Sequence, residues 1–355
     1  MRIRQIKELI KIRAEQSDPD AIMMIGPGGI GKSAIVEQVG QELGLLVQKI
    51  NLQHFYPEQL IGLPKDREGW VKWLRPSVLP EERCIVFLDE LTNASALKQN
   101  AAMQLIYEKQ VGDHRLHPDS LIVCAGNSPD DNLLAKALPS LVVNRMTMIK
   151  AEPPTIDEWL TDFAIPNDID PLIRAFLKAR PQYLFQQPPG PTSEQQFATP
   201  RAWERLSKTL GVILKSDDVD FRQSAIIGDV GPEAGAAFAM FITAKMEVPT
   251  IDEFIEKRKM PENPDALFIL VEDLITELRS FSDRKKTEQN ADRFRALWEA
   301  IWEVFKDELE VFRYIITNLL NTGVLPKLYH YCSDLIQQML KNDDLLDILV
   351  APSNT

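Results

Sequence analysis

The sequence predicts an α/β domain built on a parallel sheet, followed by a small helical domain and an all-helical C-terminal region. Over residues 1–150, short apolar runs alternate with helical patterns, and a glycine-rich segment joins the first run to a helix. Alternation of this kind is typical of layered α/β folds. From about residue 216 onward, apolar residues recur at helical spacing alone. We therefore expect three domains, which cover residues 1–150, 151–215 and 216–355.

Five short apolar runs are the candidate strands of the sheet. Each is nearly continuously apolar, as expected for strands that are buried on both faces of a parallel sheet. Helical patterns lie between them, for example Ser33–Gly44 and Ala96–Glu108. The runs are Ala21–Ile25, Leu46–Ile50, Cys84–Leu88, Ser120–Ala125 and Met146–Ile149.

Prolines divide the rest of the chain. Pro153-Pro154 ends the α/β pattern, and residues 155–180 show helical spacing. The loop at 186–196 is dense in Pro, Ser and Gln, and its Pro-Pro-Gly-Pro stretch excludes a helix there. A new helix is expected at Thr199-Pro200, because Thr caps helices and Pro fits their first turn.

The composition is that of a globular protein in a reducing compartment. The chain has 355 residues, of which 45% are hydrophobic and 26% are charged. No apolar run reaches the roughly 18 residues that span a bilayer, and the N-terminal segment mixes charged with apolar residues, unlike a secretory signal. Three scattered cysteines, Cys84, Cys124 and Cys332, are too few for a disulfide framework or a zinc site. We therefore expect a cytoplasmic protein.

The net charge of −12 lies entirely in residues 151–355, because residues 1–150 contain equal numbers of acidic and basic side chains. General binding of nucleic acid requires clustered Lys and Arg that neutralise phosphates. The acidic C-terminal half therefore disfavours a general nucleic-acid-binding surface, although a local basic strip is compatible with this charge.

The strongest functional signal is the segment Gly26-Pro-Gly-Gly-Ile-Gly-Lys-Ser33, which fits the phosphate-binding pattern G-x-x-x-x-G-K-S/T between a strand and a helix. Glycines allow backbone N–H groups to surround phosphates, and the helix N-terminus adds partial positive charge. We expect Lys32 to reach the β- and γ-phosphates of ATP and Ser33 to ligate Mg²⁺. The predicted nucleotide-binding residues are Gly26, Pro27, Gly28, Gly29, Ile30, Gly31, Lys32, Ser33 and Ala34.

Two adjacent carboxylates, Asp89 and Glu90, follow the apolar run Cys84–Leu88. Ligands of open α/β sheets bind at the carboxyl ends of the strands. Asp89 is therefore expected to hold Mg²⁺, and Glu90 to polarise the water that attacks the γ-phosphorus. The alternative is that the two residues only cap the next helix.

Asn127 ends the next apolar run, Leu121–Gly126. A neutral amide beside the γ-phosphate can orient water without adding negative charge. The alternative is a turn residue after a strand, which is the usual role of such an asparagine.

These elements, in this order, resemble the AAA+ ATPases, and more closely their MoxR-like, dynein-related branch. The resemblance covers about residues 20–215. The strand Leu46–Ile50 lies between the glycine-rich loop and Asp89-Glu90, which resembles the AAA+ sheet of strand order 5-1-4-3-2. The segments 57–62 and 69–76 look like the helix-2 insert of this branch.

The resemblance assigns Lys32 and Ser33 to the Walker A motif, Asp89 and Glu90 to Walker B, and Asn127 to sensor 1. It also implies roles for two arginines. Arg145, at the end of the segment 138–145, matches the arginine finger that acts across a subunit boundary. Arg201, in Thr199-Pro-Arg-Ala-Trp203, matches sensor 2 at the start of a lid helix. The alternatives are a local salt bridge for Arg145 and a surface position for Arg201.

The resemblance implies an enzyme that hydrolyses ATP with Mg²⁺ in a homo-oligomeric, hexameric ring and that remodels or activates a partner protein. MoxR-like ATPases often act with a protein that carries a von Willebrand factor A domain, so a partner of that kind is expected. The segment Gln53–Pro57 departs from protein-unfolding AAA+ members, because it has aromatic residues without the glycine of their pore loop. Threading of a polypeptide is therefore not implied.

Two other functions compete with this interpretation. One is a nucleic-acid-directed AAA+ motor or helicase loader, which the net charge disfavours and DNA-stimulated hydrolysis would favour. The other is a nucleotide-gated assembly scaffold of low turnover, which the complete Asp89-Glu90 pair disfavours.

Overall fold

Five parallel strands form the central sheet of the first part of the chain, and two short hairpins supply the other four strands. The strand order of the central sheet is β2-β5-β8-β1-β9 in the numbering below. Read from its other edge, this is the predicted order 5-1-4-3-2, so the predicted topology is confirmed. The strands are β1 (Ala21–Ile25), β2 (Leu46–Asn51), β3 (Leu63–Arg67), β4 (Trp70–Leu74), β5 (Cys84–Asp89), β6 (Gln110–Val111), β7 (His114–Arg115), β8 (Leu121–Gly126) and β9 (Met146–Lys150).

The inner strands of the sheet are buried on both faces. All six residues of β8 and the first five of β5 are buried, which explains why their sequences are apolar without alternation. The cysteines of these strands, Cys84 and Cys124, are buried members of the core. The α-helices among the described residues of this part are α1 (Ile3–Ala14), α2 (Lys32–Leu43), α3 (Pro57–Ile61) and α4 (Ala96–Glu108).

The computed structural model describes residues 1–128, 135–136, 138, 143–188, 195–282, 284 and 287–324. Parts of the expected 186–196 loop and of the 138–145 segment, together with Cys332, lie outside the described residues. The chain divides into two compact units. The first comprises Met1–Pro154, Gln187–Gln195 and Thr199–Arg201, and the second comprises Thr155–Gln186, Gln196–Ala198 and the residues from Ala202 onward.

The second unit is helical. One core cluster runs from Trp159 to Ile269 and therefore crosses position 215, at which the sequence places a domain boundary. Four aromatic rings, those of Phe176, Trp203, Phe238 and Phe241, contact one another at its centre. The helices are α5 (Ile156–Trp159), α6 (Pro171–Ala179), α7 (Pro200–Ile213), α8 (Val219–Val230), α9 (Pro232–Thr243), α10 (Ile251–Lys257), α11 (Pro264–Ser280), α12 (Glu288–Phe305) and α13 (Leu309–Asn321).

A buried ion pair joins three helices of this unit. Arg174 of α6 and Glu272 of α11 are each about 2% exposed, and Nη2 of Arg174 lies 3.0 Å from Oε2 of Glu272. The hydroxyl of Tyr314, on α13, donates to Oε1 of the same carboxylate. Burial raises the pKa of Glu272 above its ordinary value, and the nearby guanidinium opposes that rise.

None of the described helices combines the length and the apolar character that a membrane-spanning helix requires.

Candidate active site

The glycine-rich segment forms the turn between β1 and α2. Lys32 begins α2 and is only 9% exposed. Its ammonium donates to the carbonyl oxygens of Gly26 and Pro27, at 2.7 Å in each case. The side chain is therefore folded back over the turn, which places a buried positive charge at the N-terminus of a helix. Both features favour an anion at this position.

Ser33 and Asp89 bring the turn together with the acidic end of β5. The Ser33 hydroxyl donates to Oδ2 of Asp89 at 3.2 Å. The other carboxylate oxygen accepts a hydrogen bond from the backbone N–H of Glu90 at 3.1 Å. Lys49 of β2 lies 3.9 Å from Oδ2 of Asp89. The fold thus brings the side chains of Ser33 and Asp89 into contact.

The donor set of Ser33 and Asp89 fits Mg²⁺. A hydroxyl and a carboxylate are hard oxygen ligands, and Mg²⁺ is commonly held by one or two protein groups together with waters and substrate phosphates. No group of three or more His, Cys, Asp or Glu side chains within the described part of the chain could hold a metal ion by itself. Any Mg²⁺ at this site would therefore complete its coordination with waters or a substrate phosphate.

Glu90 has a strained backbone and a fixed side chain. Its φ of 60° and ψ of 35° are left-handed, which is uncommon for residues other than glycine and costs on the order of 1–3 kcal/mol. The amides of Asn127 and Asn93 both donate to Oε2 of Glu90, the first at 3.2 Å. Asn93 Oδ1 is buried and has no hydrogen-bond partner among the described residues. Such strain and unsatisfied polar atoms cluster at functional sites.

Thr92 holds Asn127 through its backbone. The Thr92 hydroxyl accepts from the N–H of Asn127 at 2.9 Å and donates to its carbonyl oxygen at 3.1 Å. The preceding Gly126 allows this close approach, because a Cβ atom there would lie 2.5 Å from Oγ1 of Thr92. The structure thus unites Lys32, Ser33, Asp89, Glu90 and Asn127 at the carboxyl ends of neighbouring strands.

Sequence reasoning missed Thr92 and Asn93. Both lie in the short 3₁₀ helix that follows Glu90. Their spacing from Glu90 carries no general signal, since Thr and Asn are common after strands. Only the strand order, which places β8 beside β5, shows that Thr92 contacts Asn127. The contact of Asn93 with Glu90, by contrast, lies within one turn.

The backbone of Arg201 contacts the glycine-rich turn. Its N–H donates to the carbonyl oxygen of Gly29 at 3.3 Å. Gly29 has a φ of +78°, and a Cβ atom there would lie 2.9 Å from Oγ1 of Thr199. Glycine is therefore required for this approach. The Arg201 side chain is exposed, and its role toward a γ-phosphate stays a prediction.

Arg145 makes no hydrogen bond to this group among the described residues. It is exposed, and its guanidinium carbon lies 4.9 Å from the ring centre of Tyr107, at the end of α4. A guanidinium above an aromatic face is a cation–π contact. Tyr107 is a further residue that the sequence did not single out.

A cavity of about 630 Å³ opens beside the start of the glycine-rich turn. Its wall includes Gly26 and Pro27 from the turn, Ser128 after β8, and Ala151 after β9. The cavity has the size of a small-molecule site and adjoins the glycine-rich turn.

Comparisons with known proteins give one family match. Residues 3–161 match the family model described as the MoxR domain in the MoxR-vWA-beta-propeller ternary systems. A comparison with curated proteins finds no match.

Two solved structures are similar at low identity. The RuvB Holliday junction branch migration motor of Thermotoga maritima is 15% identical, with 84% of this chain and 80% of that chain covered and a TM-score of 0.36. NtrX of Brucella abortus is 16% identical, with 83% and 67% covered and a TM-score of 0.37.

Proposed function

We propose that the chain binds ATP with Mg²⁺ and hydrolyses it to ADP and phosphate, as its resemblance to the AAA+ ATPases implies and as the match of residues 3–161 to the MoxR domain model supports. The observation that carries the proposal is the contact of the Ser33 hydroxyl with the Asp89 carboxylate beside the buried Lys32 ammonium. A cation, a hard oxygen pair and a helix N-terminus converge there, which is the chemistry that a triphosphate with its metal requires.

In the proposed reaction, Lys32 and the N–H groups of the turn bind the phosphates. Ser33 and Asp89 would hold Mg²⁺, which would neutralise phosphate charge when bound. The Glu90 carboxylate accepts a proton from the attacking water, and Asn127 orients Glu90 or that water without adding negative charge. Arg145 stabilises the transferring phosphoryl group from a neighbouring subunit, and Arg201 senses the γ-phosphate.

The test measures phosphate release by the purified chain at increasing ATP concentration. The assay is run with Mg²⁺ and again with excess chelator, and the variant Glu90→Gln is measured in parallel. We expect Mg²⁺-dependent hydrolysis in the wild type and retained ATP binding without turnover in the variant. Failure of the wild type to bind ATP in a titration with a fluorescent analogue would overturn the proposal. Equal turnover of the two proteins would refute the assigned role of Glu90.

We further propose that subunits assemble into a hexameric ring that remodels or activates a partner protein carrying a von Willebrand factor A domain. The support is the matched family model, whose description names MoxR, vWA and β-propeller components. Affinity purification of Glu90→Gln with ATP, followed by mass spectrometry of the retained proteins, tests the partner, and light scattering tests the ring. Recovery of nucleic acid without a vWA protein would contradict the partner proposal and favour a nucleic-acid motor.

A further inference from the structure

The β3–β4 hairpin, residues 63–74, is a two-stranded ribbon whose strands pair with each other and with no other described strand. Its two-residue loop, Glu68-Gly69, has positive φ at both positions, 56° and 81°. Loops of this kind match the twist of the flanking strands and hold a hairpin in a single register. The ribbon is therefore defined by local geometry rather than by packing on a sheet.

Apolar side chains of this hairpin are exposed to solvent. Trp70 is 80% exposed, Val71 66% and Leu63 61%. Leu74, at the end of the second strand, is also exposed. An isolated two-stranded hairpin is marginally stable in water unless an apolar face is covered. Single exposed apolar residues are ordinary, but several on one short ribbon indicate an interaction surface.

One face of the hairpin carries an unfavourable pair of charges. Lys65 lies directly opposite Lys72, and the neighbouring pair on the same face is Leu63 opposite Leu74. Like charges directly opposite each other destabilise a hairpin. No ion pair within the described part of the chain involves either lysine. Asp66 belongs to the other face by strand alternation and accepts the N–H of Gly69 at 3.2 Å.

We propose that this face of the 63–74 hairpin binds an acidic polypeptide segment of a partner protein. Carboxylates of the segment lie between Lys65 and Lys72 and remove their repulsion. Apolar side chains of the segment cover Leu63, Leu74 and Trp70. The leucine pair favours a polypeptide over nucleic acid, whose backbone offers no apolar groups to it. This binding is separate from ATP hydrolysis.

The test uses the full chain and a short fluorescein-labelled peptide of alternating Glu and Leu. Binding is measured by fluorescence anisotropy, with a Lys-Leu peptide and oligodeoxythymidine as parallel probes. We expect the double charge reversal Lys65→Glu/Lys72→Glu to weaken binding of the acidic peptide at least about tenfold. The matched control is Lys215→Glu/Lys306→Glu, which reverses the same charge at exposed lysines of the second unit and should bind as the wild type does.

A second variant separates the apolar contribution from the charge. Trp70→Ala keeps both lysines and should weaken binding of the acidic peptide several-fold. Added salt should weaken binding of the acidic peptide to the wild type, because it screens the lysine charges. Unchanged ATP binding in all variants shows that the first unit is folded and that the proposed nucleotide site is intact. Loss of ATP binding in the wild type would count against the proposed function and not against the hairpin.

Four results would overturn the inference. The first is equal affinity for the acidic and basic peptides, and the second is equal binding by the two double variants. The third is tight binding of oligodeoxythymidine without binding of the acidic peptide. Self-association that Lys65→Glu/Lys72→Glu abolishes, without any peptide binding, would also overturn it, because the hairpin would then contact a second copy of this chain.

Discussion

The side-chain amide of Asn127 donates a hydrogen bond to Oε2 of Glu90 at 3.2 Å, although 37 positions separate the two residues. The amide of Asn93 donates to the same oxygen. Neutral donors therefore fix the direction of this carboxylate and add no negative charge beside the anion-binding turn. The contact between Asn127 and Glu90 exists because β8 lies beside β5 in the sheet.

Glu90→Gln should lower the turnover number about 100-fold or more and leave ATP affinity nearly unchanged. The amide keeps the shape of the side chain but cannot accept a proton from water, and general-base catalysis contributes about 10²–10⁴-fold. Single-turnover phosphate release and binding of a fluorescent ATP analogue measure the two quantities. A parallel loss of affinity would instead indicate that Glu90 is a binding residue.

Asn127→Ala should lower the turnover number about tenfold or more, because Glu90 loses one of its two amide donors. Leu121→Ala is a suitable control, because it truncates a buried residue of the same strand at the end that lies away from Asn127. Steady-state kinetics would contradict the positioning role if both variants lost turnover equally.

Lys32→Ala should weaken ATP binding by about tenfold or more. The variant removes the buried ammonium beside the turn, and hydrogen bonds to charged groups contribute about 1.5–3 kcal/mol. Titration calorimetry with ATP and Mg²⁺ measures the effect. The control is Lys7→Ala, which removes an ammonium on α1 that pairs with Glu42 instead. Equal affinities of wild type and Lys32→Ala would exclude the proposed anion site.

Arg145→Ala should keep ATP binding and lose turnover by about 10³-fold, as expected for an arginine finger. Turnover should return when Arg145→Ala subunits are mixed with Glu90→Gln subunits. The first kind of subunit supplies an intact Glu90, and the second supplies an intact Arg145 across the subunit boundary. Phosphate release by the mixture measures this rescue. Absence of rescue would indicate that Arg145 acts within its own subunit or only stabilises the fold.

Tyr107→Leu should lower turnover about two- to fivefold, because a surface cation–π contact contributes about 0.5–1 kcal/mol to the position of Arg145. Tyr107→Phe keeps the aromatic face and should behave as the wild type does. In the Arg145→Ala background, Tyr107→Leu should have no further effect. An equal loss in that background would show that Tyr107 acts independently of Arg145.

Arg174→Met should destabilise the second unit by about 3–5 kcal/mol, since it leaves Glu272 buried without its cation. The double variant Arg174→Met/Glu272→Gln should recover most of this loss, because Gln is neutral and still accepts from the Tyr314 hydroxyl. Urea unfolding followed by tryptophan fluorescence measures both. Two equally unstable variants would contradict the charge explanation.

The loss of unfolding free energy in Arg174→Met should become smaller as the pH falls. Burial raises the pKa of Glu272 in the folded state above its unfolded value, and loss of the guanidinium raises it further. The folded variant therefore binds a proton at Glu272 more tightly than the unfolded variant does. The stabilisation from this proton is fully present below the ordinary glutamate pKa, and it is lost as the pH rises through the pKa of Glu272 in the folded state. A deficit that does not change with pH would show that Glu272 is not its source.

Much of the first unit could be predicted from local patterns. The continuous apolar runs identified the strands of the central sheet to within about one residue at each end, and the glycine-rich run identified the turn before α2. These features depend on backbone freedom and burial, which the residues of one short segment largely determine.

The division of the helical part could not be derived in the same way. The purely helical spacing from about residue 216 and the extent of the family resemblance suggested a boundary at residue 215, whereas one core joins Trp203 of α7 with Phe238 of α9 across that position. Helical spacing shows which face of each helix is apolar but not which other helix covers it.

The sequence by itself determined the α/β class, the glycine-rich turn of residues 26–33 and the acidic pair that follows β5, because glycine conformation, helix termini and strand burial are local properties. Only the tertiary structure decided that Thr92 holds Asn127, that Asn93 and Asn127 share Glu90, and that Arg145 lies over Tyr107. These contacts depend on strand order and on the packing of side chains from distant segments, which no local pattern encodes.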